Sequence, residues 1–183
     1  YGLDPLRYYL IKEVSFGNDG NISKEKLETC INSDLANNYG NLCQRVLAFC
    51  DKNSNFEVPE NNTFNEDDKL ILDQYSKHYE SLIKYSDNQD VNLYINFIVE
   101  QLFAANKYFN DQEPWKKKSD KLRMNTIIYV ALELIRKVTI LLYPIIPSSS
   151  LKVLEVFGIK EDKIHFETIR NNNYLKKGLK LSK

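Results

Sequence analysis

Glycine and proline are scarce in this chain, with six Gly and five Pro in 183 residues. So few breaks disfavour the short, turn-punctuated strands of a sandwich or barrel and favour long helices. Histidine is scarcer still. His78 and His165 are the only two, and neither stands in a motif that would join a nucleophile, a base and an orienting group. His78 falls mid-helix beside Tyr75, Tyr79 and Leu82 and reads as a surface or half-buried histidine. HExxH, a Walker-type loop and a nucleotide-binding GxGxxG are all missing, and the loop FGNDGN does not join a buried strand to a helix. The expectation is a stretch with no catalytic residues.

Cysteine is limited to Cys30, Cys43 and Cys50, an odd number without CxxC spacing. Neither a disulfide framework nor a metal site is expected, and a reducing, intracellular compartment fits best. No apolar run approaches the ~20 residues that span a bilayer, so no membrane association is expected. An excess of either charge is also missing, since 25 basic residues balance 25 acidic ones. Whole-chain charge therefore gives no sign of a nucleic-acid partner but leaves a local patch open. The start at Tyr1, with no initiator Met or secretory leader pattern, reads as part of a longer protein. Twenty Lys against five Arg, with abundant Asn, is a bias that AT-rich coding produces without functional cause.

What is present is helical periodicity. Apolar residues make up 43% and charged residues 27%, the balance of one ordinary globular domain. Asp4 and Pro5 open a short leading helix that runs to Glu13, followed by a turn around Gly17 and Gly20. From Lys24 to about Asp51, Leu27, Ile31, Leu35, Tyr39, Leu42, Val46 and Phe49 step by three or four, which predicts one long helix. A second is capped by Asn65 and runs through Leu82, and a third follows Asp90 to Phe109. A fourth spans about Ser119 to Leu142 before Pro144 and Pro147, and a last one opens at Ser148 to Ser150 and closes at Gly158. Stripes of this kind leave water only by facing one another, so the fold class is all-α, a helical bundle of about five helices. The tail from Lys160, with weak periodicity, is expected to wrap the bundle loosely.

Two constellations suggest chemistry. Asn41 and Arg45 are four apart, so on a helix an amide and a guanidinium fork project from nearly one face, a pairing suited to base edges and phosphates. An exposed helix pair or an internal hydrogen bond is the plainer alternative. Trp115, the only tryptophan, follows Pro114 and precedes Lys116, Lys117 and Lys118. An aromatic face beside cations suits an unstacked base of a single-stranded loop, and interhelical packing is again the alternative.

The ordered set YGLDPLRYYLIKEVSFGNDGNIS, INSDLANNYGNLCQRVL, NKYFNDQEPW and LLYPIIPSSSLKVLEVFG resembles the methionyl-tRNA synthetases of bacterial and organellar type, over residues 1 to about 158. GLDPLRYYL also occurs in leucine, isoleucine, valine and cysteine relatives, whereas NSDLANNYGNLCQR together with EPW points to methionine. The resemblance implies a class I synthetase whose catalytic domain, with its HIGH-type and KMSKS-type signatures, lies upstream of Tyr1. Residues 1–22 would end the stem-contact or linker region, and residues 23–183 would form the α-helical anticodon-binding domain. Asn41 and Arg45 occupy the positions of the NxxxR pair that reads the anticodon. Pro114 and Trp115 occupy those of the PW pair on which its first base stacks.

The implied partners are initiator and elongator methionine tRNAs, read at CAU, and the protein's own catalytic domain, in a cytoplasmic monomer. Lys116, Lys117 and Lys118 would add sequence-independent attraction to the RNA backbone. No cofactor is implied for these residues themselves; ATP with Mg2+ would act in the catalytic part, with Zn2+ left open there. Two alternatives stand beside this reading: the equivalent domain of a leucine, isoleucine, valine or cysteine enzyme, and a helical scaffold that binds protein through its aromatic residues.

Overall fold

In the computed structural model, which describes residues 1–13 and 22–182, the chain begins with α1 (Leu3–Glu13). The turn expected around Gly17 and Gly20 lies outside the described residues. Asp4 does not cap α1 from outside. It sits within the first turn, buried, and its Oδ2 accepts the Ser149 backbone N–H at 2.6 Å. Arg7 donates from Nε and Nη2 to the carbonyls of Ile145 and Pro144 at 2.9 and 2.8 Å. These polar contacts seat α1 on the proline-containing turn around residues 144–149.

A continuous helical rod follows. Ser23 opens it, its Oγ accepting the Lys26 N–H at 3.2 Å, and α2 (Lys24–Cys30) passes into a π-helical stretch at Ile31–Gly40 and then into α3 (Asn41–Ser54). The backbone stays in the right-handed helical region at Ile31 and at Asn41, so the long helix expected from Lys24 is present with altered winding. The Asn41 N–H reaches back five residues to the Ala36 carbonyl, the bond that defines the wider turn. Side chains from other helices hold this stretch. Tyr8 and Lys12 donate to Asp34 Oδ2 at 2.9 and 2.6 Å, and Asn106 Nδ2 donates to the Asn38 carbonyl at 3.1 Å and to Asn38 Oδ1 at 2.8 Å.

Asn65 caps α4 (Glu66–Lys77) as expected, in a reciprocal box with Asp68. The helix predicted to run on through Leu82 is divided at His78, where φ −98° and ψ 4° leave the helical region. α5 (Tyr79–Asp87) resumes beyond it. The His78 ring lies 5.1 Å from that of Phe97, and its Nδ1 is 2.9 Å from the Gln74 carbonyl, so the break is packed and bonded. α6 (Val91–Gln112), α7 (Lys121–Leu142) and α8 (Pro147–Val156) complete the bundle.

Every residue of α7 from Thr126 to Leu142 is buried, and α7 packs against α3, α4, α6 and α8. A helix buried on every side belongs at the centre of a bundle, where changing one of its large apolar residues to alanine costs about 2–5 kcal/mol.

The tail is not loosely wrapped. Gly178 N–H donates to the Val58 carbonyl, Val58 N–H to the Leu179 carbonyl and Leu181 N–H to the Phe56 carbonyl, each at 2.9 Å. Ile169, Leu175 and Leu181 are buried in the core. Beneath the tail, α7 supplies a charged set. Arg136 and Glu133 are both 0% exposed and paired at 2.7 Å. Glu133 Oε1 accepts the Leu175 N–H at 2.7 Å, while Arg136 donates to the carbonyls of Thr168 and Asn171 at 3.1 and 3.0 Å and lies over the Tyr174 ring at 4.4 Å. The tail lacks α-helical periodicity because its backbone groups are satisfied by these side chains, by the linker at Phe56 and Val58, and by two short 3-10 turns at Glu161–Lys163 and Phe166–Arg170.

Candidate nucleic-acid interface

α3 presents Asn41 as its exposed first residue and the half-exposed Arg45 one turn later. On the facing helix, α6 ends at Gln112. The chain turns sharply at Glu113, which adopts a left-handed conformation (φ 42°), and Pro114–Lys116 forms a single 3-10 turn. Proline suits this place, since it has no N–H to lose at the first position of a helical turn. Pro114 is buried and Trp115 is 40% exposed.

Phe109 brings the two regions together. The Arg45 guanidinium lies 5.7 Å from the centre of its ring, and the Trp115 ring meets it edge-on with centroids 6.1 Å apart. Phe49 of α3 closes on Phe109 from another direction at 5.9 Å. Arg45 Nη2 also donates to Asn110 Oδ1 at 2.5 Å, so its fork is oriented by one hydrogen bond and one aromatic face. By sequence spacing, Asn41 pairs with Arg45 and Trp115 with the lysines. In the fold, Arg45 and Trp115 share one support, and Asn41 stands one helical turn from it.

The three lysines differ. Lys116 is exposed and folds back to Glu113 at 2.7 Å across the turn, Lys117 is half-buried, and Lys118 is exposed. An exposed pair such as Lys116 with Glu113 has little energetic weight, so Lys116 remains available to another anion. Phe109 and Asn110 were not identified as site residues from sequence. Asn110 lies 65 positions from Arg45, and no local spacing signals such a partner.

The chemistry available here is recognition. An aromatic plane, a guanidinium and two amides can stack on a base and hydrogen-bond to its edge or to phosphate. Burial pushes the thiols of Cys43 and Cys50 up to about 12 and that of Cys30 up to about 11, so they stay protonated and unreactive near neutral pH. Among the described residues, no group of three His, Cys, Asp or Glu side chains could hold a metal ion, and no helix is long and apolar enough to cross a membrane.

Comparison with known proteins places the chain in a family. A family model described as the anticodon binding domain of methionyl tRNA ligase matches residues 31–183, and one described as tRNA synthetases class I (M) matches residues 1–47. The methionine--tRNA ligase of Brucella suis biovar 1 is 43% identical over 170 residues, covering 92% of this chain and 33% of its own length. The apo crystal structure of Mycobacterium tuberculosis methionyl-tRNA synthetase superposes with a TM-score of 0.91 at 35% identity, over 98% of this chain and 37% of that one. The same enzyme in complex with methionyl-adenylate gives a TM-score of 0.92 at 34% identity, over 98% and 36%. The chain thus spans about a third of the length of the curated relatives it matches.

Proposed function

The chain belongs to the methionyl-tRNA ligase family, and from that premise we propose that its helical bundle binds the anticodon loop of methionine tRNAs, initiator and elongator alike, and prefers CAU. Family membership also selects methionine over the leucine, isoleucine, valine and cysteine enzymes left open by the sequence. The observation that carries the proposal is the shared support of Arg45 and Trp115 on Phe109. A base-stacking plane and a phosphate- or edge-binding fork are thereby braced on one ring, an arrangement suited to an unstacked loop.

Trp115 stacks on the first anticodon base, over the rigid Pro114. Asn41 and Arg45 hydrogen-bond to base edges and to the sugar-phosphate backbone. Lys116, Lys117 and Lys118 add attraction that does not depend on sequence. Residues 1–22 link this bundle to a catalytic part in which ATP and Mg2+ activate methionine, in a monomeric cytoplasmic enzyme. Because that part supplies the adenylate-forming site, the 183-residue chain alone does not catalyse methionine-dependent pyrophosphate exchange.

The test is binding to anticodon stem-loops carrying CAU or a scrambled loop, at two salt concentrations, with wild type and Trp115→Ala. A CAU preference that disappears with Trp115 supports base readout. Equal, steeply salt-dependent binding to both loops leaves only phosphate attraction and defeats the proposal.

A further inference from the structure

A buried carboxylate on α4 stands at the point where the two helices flanking the Trp115 turn converge. Asp68 is 0% exposed, and both of its oxygens are engaged more than once. Oδ2 accepts the Asn65 backbone N–H at 3.0 Å and Arg123 Nη1 at 2.5 Å. Oδ1 accepts Arg123 Nη2 at 2.9 Å and the Tyr108 hydroxyl at 2.5 Å. Arg123 Nη2 in turn donates to Gln112 Oε1 at 2.6 Å, and Gln112 Nε2 donates to Asp67 Oδ2 at 3.0 Å.

These partners are placed with a definite relation to the site. Tyr108 and Gln112 form the last turn of α6, and Arg123 lies in the first turn of α7, where its backbone N–H is also capped by Asp120 Oδ1 at 3.0 Å. The short connection between them, from Glu113 to Asp120, carries Pro114 and Trp115. A bidentate guanidinium–carboxylate pair fixes both distance and direction, so both ends of that connection are referred to one group on a third helix. None of the hydrogen bonds just described involves Asn41 or Arg45. They act on the tryptophan through the backbone that carries it.

The geometry points to Asp68, acting through Arg123 and Gln112, as a positioning residue that sets the orientation of the Trp115 ring for base stacking. This inference rests on the anticodon-binding reading of Trp115 for its functional meaning. Its structural content can be checked without RNA, because Trp115 is the only tryptophan in the chain and its fluorescence reports this turn alone.

The experiment compares wild type, Asp68→Asn and Gln112→Ala in the 183-residue chain. Circular dichroism and a melting curve establish that each is folded. Emission maximum and acrylamide quenching of Trp115 are then read in the folded baseline, followed by binding of the CAU stem-loop. Gln112→Ala removes the link from Arg123 to the end of α6 next to Trp115, while the buried ion pair and the Tyr108 hydrogen bond stay, so it remains informative if Asp68→Asn fails to fold. The expected result is increased quenching of Trp115 in the folded variants and CAU binding weakened about tenfold, the size of a compromised stacking contact. A purely structural role would lower the melting temperature and leave the folded-state emission and quenching unchanged. That outcome in Gln112→Ala overturns the inference. A wild type with no CAU preference overturns the underlying reading instead, and the RNA-free fluorescence separates that failure from this one.

Discussion

Two arginines of this molecule sit against aromatic rings and serve opposite ends. Arg136 is 0% exposed, lies 4.4 Å from the Tyr174 ring centre, and gives its donors to Glu133 and to the Thr168 and Asn171 carbonyls. Arg45 is half-exposed, lies 5.7 Å from the Phe109 ring centre, and gives Nη2 to Asn110. The first guanidinium is saturated from within the protein and holds the tail to the core. The second is aimed but left open on its solvent side, the condition of a group that recognises something else. Saturation, more than residue type, separates architecture from recognition here.

The comparison is broken most forcefully at the buried arginine. Arg136→Ala leaves Glu133 without its cation and two tail carbonyls without a donor, a loss expected to cost about 3–5 kcal/mol. Urea denaturation should show it, and limited proteolysis should find the segment beyond Ile164 newly cleavable. At the recognition end the effect moves to binding. Arg45→Ala or Trp115→Ala should weaken CAU stem-loop binding by about 1–3 kcal/mol while the urea midpoint stays close to wild type.

Beside Arg136, Lys137 is also fully buried, in contact with Asn172 Oδ1 and 5.2 Å from the Tyr75 ring centre. Burial, helped by the neighbouring Arg136 and opposed by Glu133 and Asp73, pushes its ammonium down to about 7. An unfolded lysine keeps its proton to about pH 10.4. Between those values the unfolded state binds the proton and the folded state does not, so stability rises with pH from 7 upward. Urea titrations at pH 6, 7, 8 and 9 should show that rise in wild type and a flatter profile in Lys137→Met.

A weaker effect is expected in acid. Burial raises the Asp68 carboxyl, but the hydrogen bonds from Arg123, Tyr108 and the Asn65 backbone outweigh it and hold it below the usual range. A depressed carboxyl contributes its stability in full above the unfolded value, about 3.9, and loses it as the pH falls through the folded one. Trp115 quenching should therefore be constant from pH 7 to 5 and rise only below that window. The smallest change belongs to the exposed cations: Lys118→Ser should reduce the slope of log affinity against log salt by about 0.7 and leave CAU preference intact.

Much of the fold was legible. Asn65 before Glu66, Asp67 and Asp68 announced the α4 start, and the apolar spacing of α6 and α7 placed both helices to within a few residues. Trp115 and Arg45 were identified by residue type and by resemblance, and their common contact with Phe109 could not be, since it forms between elements distant in sequence. The division at His78 escaped because the apolar period runs through it while the backbone does not. The seating of the tail escaped for another reason. Glu133, Arg136 and Lys137 interrupt the apolar spacing of α7, yet from Thr126 onward α7 is enclosed on all sides. The signal was present in the consecutive apolar residues Ile127 to Leu132, which form no stripe and mark a helix without a wet face.

The π-helical stretch between α2 and α3 also sets the angular phase of the rod. Hydrogen bonds that close over five residues advance the chain less per residue around its axis than those that close over four. Ten residues wound this way rotate everything downstream relative to a uniform helix, so side chains on α2 and α3 that share a spacing of three or four do not share a direction. Gly40 sits at the end of that stretch, where a Cβ would approach the Leu35 carbonyl oxygen to 3.1 Å. The rod behaves as a coupling with a built-in offset: Asp34 is clocked toward α1, and Arg45, eleven residues later, toward α6. Deleting one residue between Ile31 and Gly40 would therefore re-time the recognition face as a unit, turning each side chain away from its partner and drawing it about 1.5 Å along the axis.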